Sequence, residues 1–256
     1  MKTVFFELCA ESTQAACAAE SGGADRIELC AELARGGLTP REEVVAASVN
    51  ALSIPVYVLI RPRGGSFVFS AEEFALMRSQ IAAAKQAGAS GVAVGVLRED
   101  GRVDVERTRE LVELARPMAA TFHRAFDETP DLSESLERVI ETGAEGLLTS
   151  GGAKEVLGGA DSISALRRQA GDRIHIIAGG GLQLETLTEV VRRSGVFCLH
   201  GSLKRRNGHG NPAGTAEENP TEGEMATLEA DVREAVRLLR RELDERNSSA
   251  REDGGR

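Results

Sequence analysis

Eight short apolar runs recur along this 256-residue chain, near residues 3–9, 25–30, 55–61, 91–97, 119–124, 146–150, 174–179 and 195–201. Stretches with helix start signals lie between them. Ser12 precedes an Ala-rich segment, Thr39-Pro40 precedes Arg41, Ser70 and Glu73 are spaced as a capping box, and Asp104 and Asp131 stand before two further segments. Helical stretches stop at Gly88, Gly143 and Gly195 just before the next run, where a left-handed turn ends a helix. The repeated unit is strand, loop, helix, glycine. Parallel strands need a crossover, and eight such units of roughly 25–35 residues close the sheet, so the pattern predicts an α/β chain folded as a (β/α)8 TIM barrel. An open doubly wound sheet is the alternative. It would carry a Gly-rich fingerprint after its first strand, and the first run here leads into Cys9-Ala10-Glu11-Ser12.

On this reading a single domain spans residues 1–246. Within it, residues 207–224, rich in Gly, Asn, Pro and Glu, read as a mobile loop. Met225, Leu228, Val232, Val236, Leu239 and Leu243 fall at spacings of three and four, marking the apolar face of a closing helix over 225–246. Residues 247–256 read as a disordered, frayed tail. The 31 Lys+Arg against 40 Asp+Glu give a net charge of −9, which argues against nucleic acid or anionic lipid as a partner. A metal ion or a small anionic molecule fits better. The first residues lack a signal-peptide stretch, and no run approaches the roughly 20 apolar residues of a membrane span, so a cytoplasmic protein is expected. Four cysteines without close pairing do not suggest a disulfide framework. In a reducing compartment they are thiols, available as ligands or nucleophiles.

Barrels of this kind place function at the C-terminal ends of their strands. There the chain carries Glu7-Leu8-Cys9, Glu28-Leu29-Cys30 and Cys198-Leu199-His200. Residues at i and i+2 share a face of a strand, and closure makes the eighth strand a neighbour of the first. Glu7, Cys9, Glu28, Cys30, Cys198 and His200 are therefore expected at one mouth, on strands about 4.8 Å apart. Strand three adds Arg61 and Arg63, and strand five ends in His123, Arg124 and Asp127. Carboxylates inside a barrel need partners, for which Arg26, Arg61 and Arg124 are the candidates; a purely structural ion network is the plain alternative to a chemical site. Cys17 falls on an Ala-rich helix face where a small buried thiol suffices, His209 lies in the predicted loop and His175 sits early in strand seven, so these are left out. Glycine-bearing turns follow strands six to eight: Thr149-Ser150-Gly151-Gly152, Gly179-Gly180-Gly181 and Gly201-Ser202. Bare amides there could approach a phosphate or carboxylate, although tight turns alone would also call for these glycines.

Longer motifs surround these residues. They are Gly22-Gly23-Ala24-Asp25-Arg26-Ile27-Glu28-Leu29-Cys30, Gly36-Gly37-Leu38-Thr39-Pro40, Ile60-Arg61-Pro62-Arg63-Gly64-Gly65, Thr121-Phe122-His123-Arg124-Ala125-Phe126-Asp127, Leu148-Thr149-Ser150-Gly151-Gly152 and His200-Gly201-Ser202. In order and without large gaps over about residues 2–204, they resemble the CutC family of copper homeostasis proteins. The chain departs from the family habit at Ser66, where an acidic or amide residue is usual, and at Ala178, where a proline commonly precedes the glycines. The resemblance implies a cytoplasmic TIM barrel, assembled as a homo-oligomer (dimer or tetramer), that binds copper.

Two functions fit the residues. In the first, Cu(I), a soft ion that prefers thiolate with thioether or imidazole in support, is held by Cys9 and Cys30 on adjacent strands, with Cys198 or His200 as a third ligand. Arg26 would favour the thiolates while repelling the metal. In the second, the barrel is an acid/base lyase or isomerase acting on a small phosphorylated or carboxylated metabolite. Glu7 or Glu28 is then the base, His123 or His200 the acid, and Asp127 a further catalytic carboxylate. Arg61 and Arg124 clamp an anion, and Arg26, Arg63, Ser150, Gly151, Gly180, Gly181, Gly201 and Ser202 bind substrate.

Overall fold

A computed structural model describes residues 5–203 and 221–253. The parallel strands β1 (Phe5–Ala10), β2 (Arg26–Leu29), β3 (Val56–Leu59), β4 (Gly91–Val94), β5 (Ala119–Phe122), β6 (Gly146–Thr149), β7 (His175–Gly179) and β8 (Cys198–Gly201) close into a barrel in chain order, with β8 pairing to β1. Helices α1 (Thr13–Gly22), α2 (Glu42–Ala51), α3 (Ala71–Gln86), α4 (Val105–Ala115), α5 (Leu132–Glu141), α6 (Ala160–Ala170), α7 (Leu184–Ser194) and α8 (Glu222–Asp253) alternate with the strands. This is the expected (β/α)8 TIM barrel.

The start signals act as caps. Ser12, Asp104 and Asp131 each accept a backbone N–H three residues on, and the Ser70–Glu73 capping box is complete. Thr39 is the exception, since α2 starts behind Arg41 without a side-chain cap. Thr39 Oγ1 instead accepts the Arg61 N–H at 2.7 Å and donates to Gln80, tying the turn after β2 to the end of β3. Helix α8 is longer than the spacing of its apolar residues suggested. Residues 222–224, assigned to the loop, and 247–253, assigned to the tail, are helical, while 204–220, which hold the rest of the expected loop, lie outside the described residues. The early start has a local cause: Thr221 and Glu224 form a capping box of their own, each accepting the other's backbone N–H. The helix packs its Val232, Ala235, Val236 and Leu239 against the barrel. Gly22 admits it, because a Cβ there would lie 2.6 Å from the Glu229 carbonyl oxygen.

Strand alternation sorts the residues into two sets. Phe6, Leu8, Ile27, Leu29, Val56, Val58, Val92, Val94, Ala120, Phe122, Leu147, Ile176 and Leu199 point outward and form the main apolar core under the helices. The inward set is different. Glu7, Cys9, Arg26, Glu28, Tyr57, Thr121 and His200 occupy positions that barrels of this type usually fill with branched apolar side chains. Small inward residues make room for large ones: a Cβ on Gly91 would meet the Tyr57 ring at 2.5 Å, and one on Gly179 would meet His200 at 2.9 Å.

Candidate functional site

The register that pairs Glu7 with His200 across the β1–β8 seam, and Cys9 with Glu28 across β1–β2, assembles the upper interior. At its base lies Arg26. The guanidinium is sandwiched between the rings of Phe5 and Tyr57, 4.5 and 4.0 Å from their centroids, and its Nε donates to Glu7. Glu7 also pairs with His200 Nδ1 at 2.7 Å. Against a carboxylate this nitrogen carries the proton, which leaves Nε2 to face a ligand. Burial alone would raise the Glu7 carboxyl, but the Arg26 charge and the His200 hydrogen bond outweigh it and hold the pKa down to about 2.

Above this pair sit Cys9, Glu28 and His200, all buried, whose ligand atoms lie within 4.8 Å of one another. The Cys30 Sγ is 3.1 Å from the Cys9 Sγ, and both cysteines are free thiols. Leu59, Ala93 and Leu33 wall them in. Burial pushes Glu28 up to about 7, with Glu7 adding to the rise while His200 and Arg26 oppose it. The Cys9 thiol is pushed well above its usual value by its hydrogen bond to Cys30, by burial and by the nearby carboxylates. Arg26, expected to favour thiolates, does not hold Cys9 down; its charge does act in that direction on Cys198, where burial outweighs it. At His200 burial is the largest single effect and works to lower the pKa, but the Glu28 charge, the Glu7 hydrogen bond and the Glu7 charge together raise it.

Cys198 does not join this group. It faces the same way as His200 but two residues lower, level with Phe5, where burial raises its thiol to about 12. Same-face spacing predicted its direction and not its depth.

The other expected groups lie on β3 to β7. Arg61 is buried, with Nη1 and Nη2 donating to the carbonyls of Gly36, Gly37 and Gly65. Arg63, expected to bind substrate, makes a two-pronged pair with Glu73 and donates to three backbone carbonyls, so it pins the turn after β3. Arg26 is likewise committed inside the barrel. Asp127, expected to be catalytic, receives Thr149 Oγ1, the Ser150 amide and hydroxyl, the Gly152 amide and Arg124 Nε. The turn after β6 is thus an anion nest filled by the chain's own carboxylate, and the Gly151 amide goes to Thr149. Arg124 also reaches Ser150 Oγ and lies against Gly180, which has φ +109° and leaves no room for a Cβ. The Gly180 carbonyl accepts from Val156, Gly181 sits against Glu155, Gly201 closes β8 against Leu182, and Ser202 is half-buried beyond it. His123 is buried and held neutral, with burial and then the Arg61 charge taking its pKa down to about 3, so it cannot supply a proton as an imidazolium. Sequence reasoning missed Tyr57 and Phe67, the aromatic shelves for Arg26 and Arg61. Tyr57 shares the inward face of Arg61 at a spacing of four, and that was the available signal.

A model of the CutC family matches residues 4–205. A CutC family protein of Caulobacter vibrioides is 42% identical over 245 residues, 93% of this chain and 97% of that protein. The human copper homeostasis protein cutC homolog is 42% identical over 198 residues, 77% of this chain and 72% of its own length. The crystal structure of CutC from Streptococcus agalactiae superposes with a TM-score of 0.74 at 30% identity, covering 78% of this chain and all 100% of that one.

Proposed function

The chain belongs to the CutC family, and from that premise we propose that it serves copper homeostasis in the cytoplasm by holding a Cu(I) ion on Cys9, Cys30 and His200, with Glu28 beside them. One observation carries this reading: two thiols 3.1 Å apart adjoin a group in which thiol, imidazole and carboxylate atoms lie within 4.8 Å. Soft sulfur donors with an imidazole in support select a soft monovalent ion over hard divalent cations, which ask for oxygen ligands. The apolar walls from Leu33, Leu59 and Ala93 favour the same ion, since Cu(I) is stabilised where water is excluded. The ion is cargo here. Each thiol that binds it gives up its proton, so two protons leave for one monovalent ion and the loaded site gains one net negative charge.

An anaerobic Cu(I) titration in competition with a chromophoric chelator tests this, run on the wild type and on the Cys9→Ser/Cys30→Ser variant. The expected result is tight, stoichiometric binding that weakens by at least about a hundredfold in the variant while its circular dichroism is unchanged. Equal affinity in the two proteins would remove the site.

A further inference from the structure

Beside the thiols, the mouth holds donors with nothing to donate to. Arg61, just past β3, is 7% exposed, and His123, just past β5, is 4% exposed. Three backbone carbonyls take the two Nη groups of Arg61, at 2.9, 3.3 and 2.8 Å, and its Nε is buried without an acceptor. Among the described residues no carboxylate lies within ion-pair distance of this guanidinium. The charge of Glu128 acts on it only from farther away. In His123 the Nδ1 accepts the Ala125 N–H at 3.2 Å, so the ring proton sits on Nε2, which is buried and also lacks an acceptor.

The two groups share one wall. Both lie against Phe67, with the guanidinium carbon 4.4 Å from its ring centroid and the imidazole centroid 5.0 Å from it. Gly95, just past the end of β4 between them, is what lets the imidazole lie across the mouth, since a Cβ there would be 2.6 Å from the ring. A buried cation without a counter-ion and a buried N–H without an acceptor both carry a desolvation cost, and one oxygen-rich anion would relieve both.

We propose that Arg61 and His123 form an oxyanion subsite that takes the carboxylate or phosphate group of a small molecule. The guanidinium is already fixed by its carbonyls, so binding requires little reorganisation, and a neutral imidazole donates its Nε2–H without adding a second charge. The subsite stands independently of the copper reading.

The test uses inorganic phosphate and malonate as probes, in the absence of copper. Thermal protection and the histidine ring-nitrogen NMR signals are followed in the wild type, Arg61→Met, His123→Phe and Cys9→Ser/Cys30→Ser. Saturable protection by either anion, with a shift of the His123 Nε2 signal, is expected in the wild type and in the thiol variant. Binding should be about tenfold or more weaker in Arg61→Met and His123→Phe. Protection by phosphate alone assigns a phosphate-bearing ligand, and protection by malonate alone a carboxylate. If Arg61→Met does not fold, the His123→Phe variant and the wild-type NMR signal decide. A His123 signal that neither anion moves, or protection undiminished in His123→Phe, overturns the subsite. Because the thiol variant retains it, failure here is distinct from failure of the copper titration.

Discussion

Replacing Arg26 by Met should be among the costliest single changes in the barrel. Its partner Glu7 has a side chain only 2% exposed, so removing the cation leaves a buried carboxylate with His200 alone. Breaking a buried pair from one side costs roughly 3–5 kcal/mol. The contacts with the Phe5 and Tyr57 rings add roughly 0.5–1 kcal/mol each. Met restores most of the aliphatic packing and His200 continues to hold Glu7, so a net loss of about 4 kcal/mol is expected. The Glu7→Gln/Arg26→Met double variant leaves no charge behind and should lose only about 2 kcal/mol, making it more stable than the Arg26→Met single. Urea unfolding measures all three differences. The chain has one tyrosine and no tryptophan, so its intrinsic fluorescence reports from Tyr57, directly against Arg26, while circular dichroism reports on the whole barrel. Coincident transitions justify the comparison. An Arg26→Met loss below about 1 kcal/mol, or a double variant no more stable than that single, would refute the account of a charge held in place by its partner.

Three further outcomes follow from the geometry. Burial holds the folded His123 pKa down to about 3 against an ordinary 6.5, so below 6.5 the unfolded chain takes up a proton that the folded chain refuses; the His123 contribution to stability is full above that pH and falls by about 1.4 kcal/mol per unit on the way down to 3. Glu28 and His200 contribute in the opposite sense, and the wild type and His123→Phe share those contributions. His123→Phe should flatten that slope, and urea midpoints at neutral and mildly acidic pH that fall in parallel for both proteins would contradict it. Gly91→Ala places a Cβ 2.5 Å from the Tyr57 ring and should cost about 1–3 kcal/mol with an altered tyrosine emission; an unchanged melting temperature would show that the interior yields more easily than its packing implies. Asp127→Ala strips acceptors from the Ser150 and Gly152 amides and should lose about 3 kcal/mol, with faster hydrogen exchange in the turn after β6 and Cu(I) affinity unaffected; weakened copper binding would give Asp127 a role beyond that turn.

The eight-unit barrel was legible because its punctuation is local. Caps at Ser12, Ser70, Asp104 and Asp131 and left-handed glycines at 88, 143 and 195 depend on residues a few positions away. Convergence of Cys9, Glu28 and His200 was legible for a related reason, since same-face spacing and ring closure suffice to place them. Depth was not. Cys198 shares the face of His200 and still misses the group, because the stagger between strands sets height along the barrel and no spacing within one strand reveals it. The sandwich around Arg26 draws on three strands, and the carboxylate in the β6 turn comes from the preceding strand's end, so both depend on register. The Thr221–Glu224 box, by contrast, was open to reading and went unread beside the polar loop before it.

The seam between β1 and β8 brings together Glu7 and His200, which stand 193 positions apart in the chain. A ribosome delivers the thiols of Cys9 and Cys30 early and the imidazole of His200 some 170 residues later. Until the final strand emerges and the ring shuts, the growing chain carries only part of the donor set, and its outward apolar strands still lack a closed sheet. Closure is then a single event with two results: it removes the open edges at which unfinished chains stick to one another, and it completes the ligand group. Maturity of the fold and competence of the site arrive together.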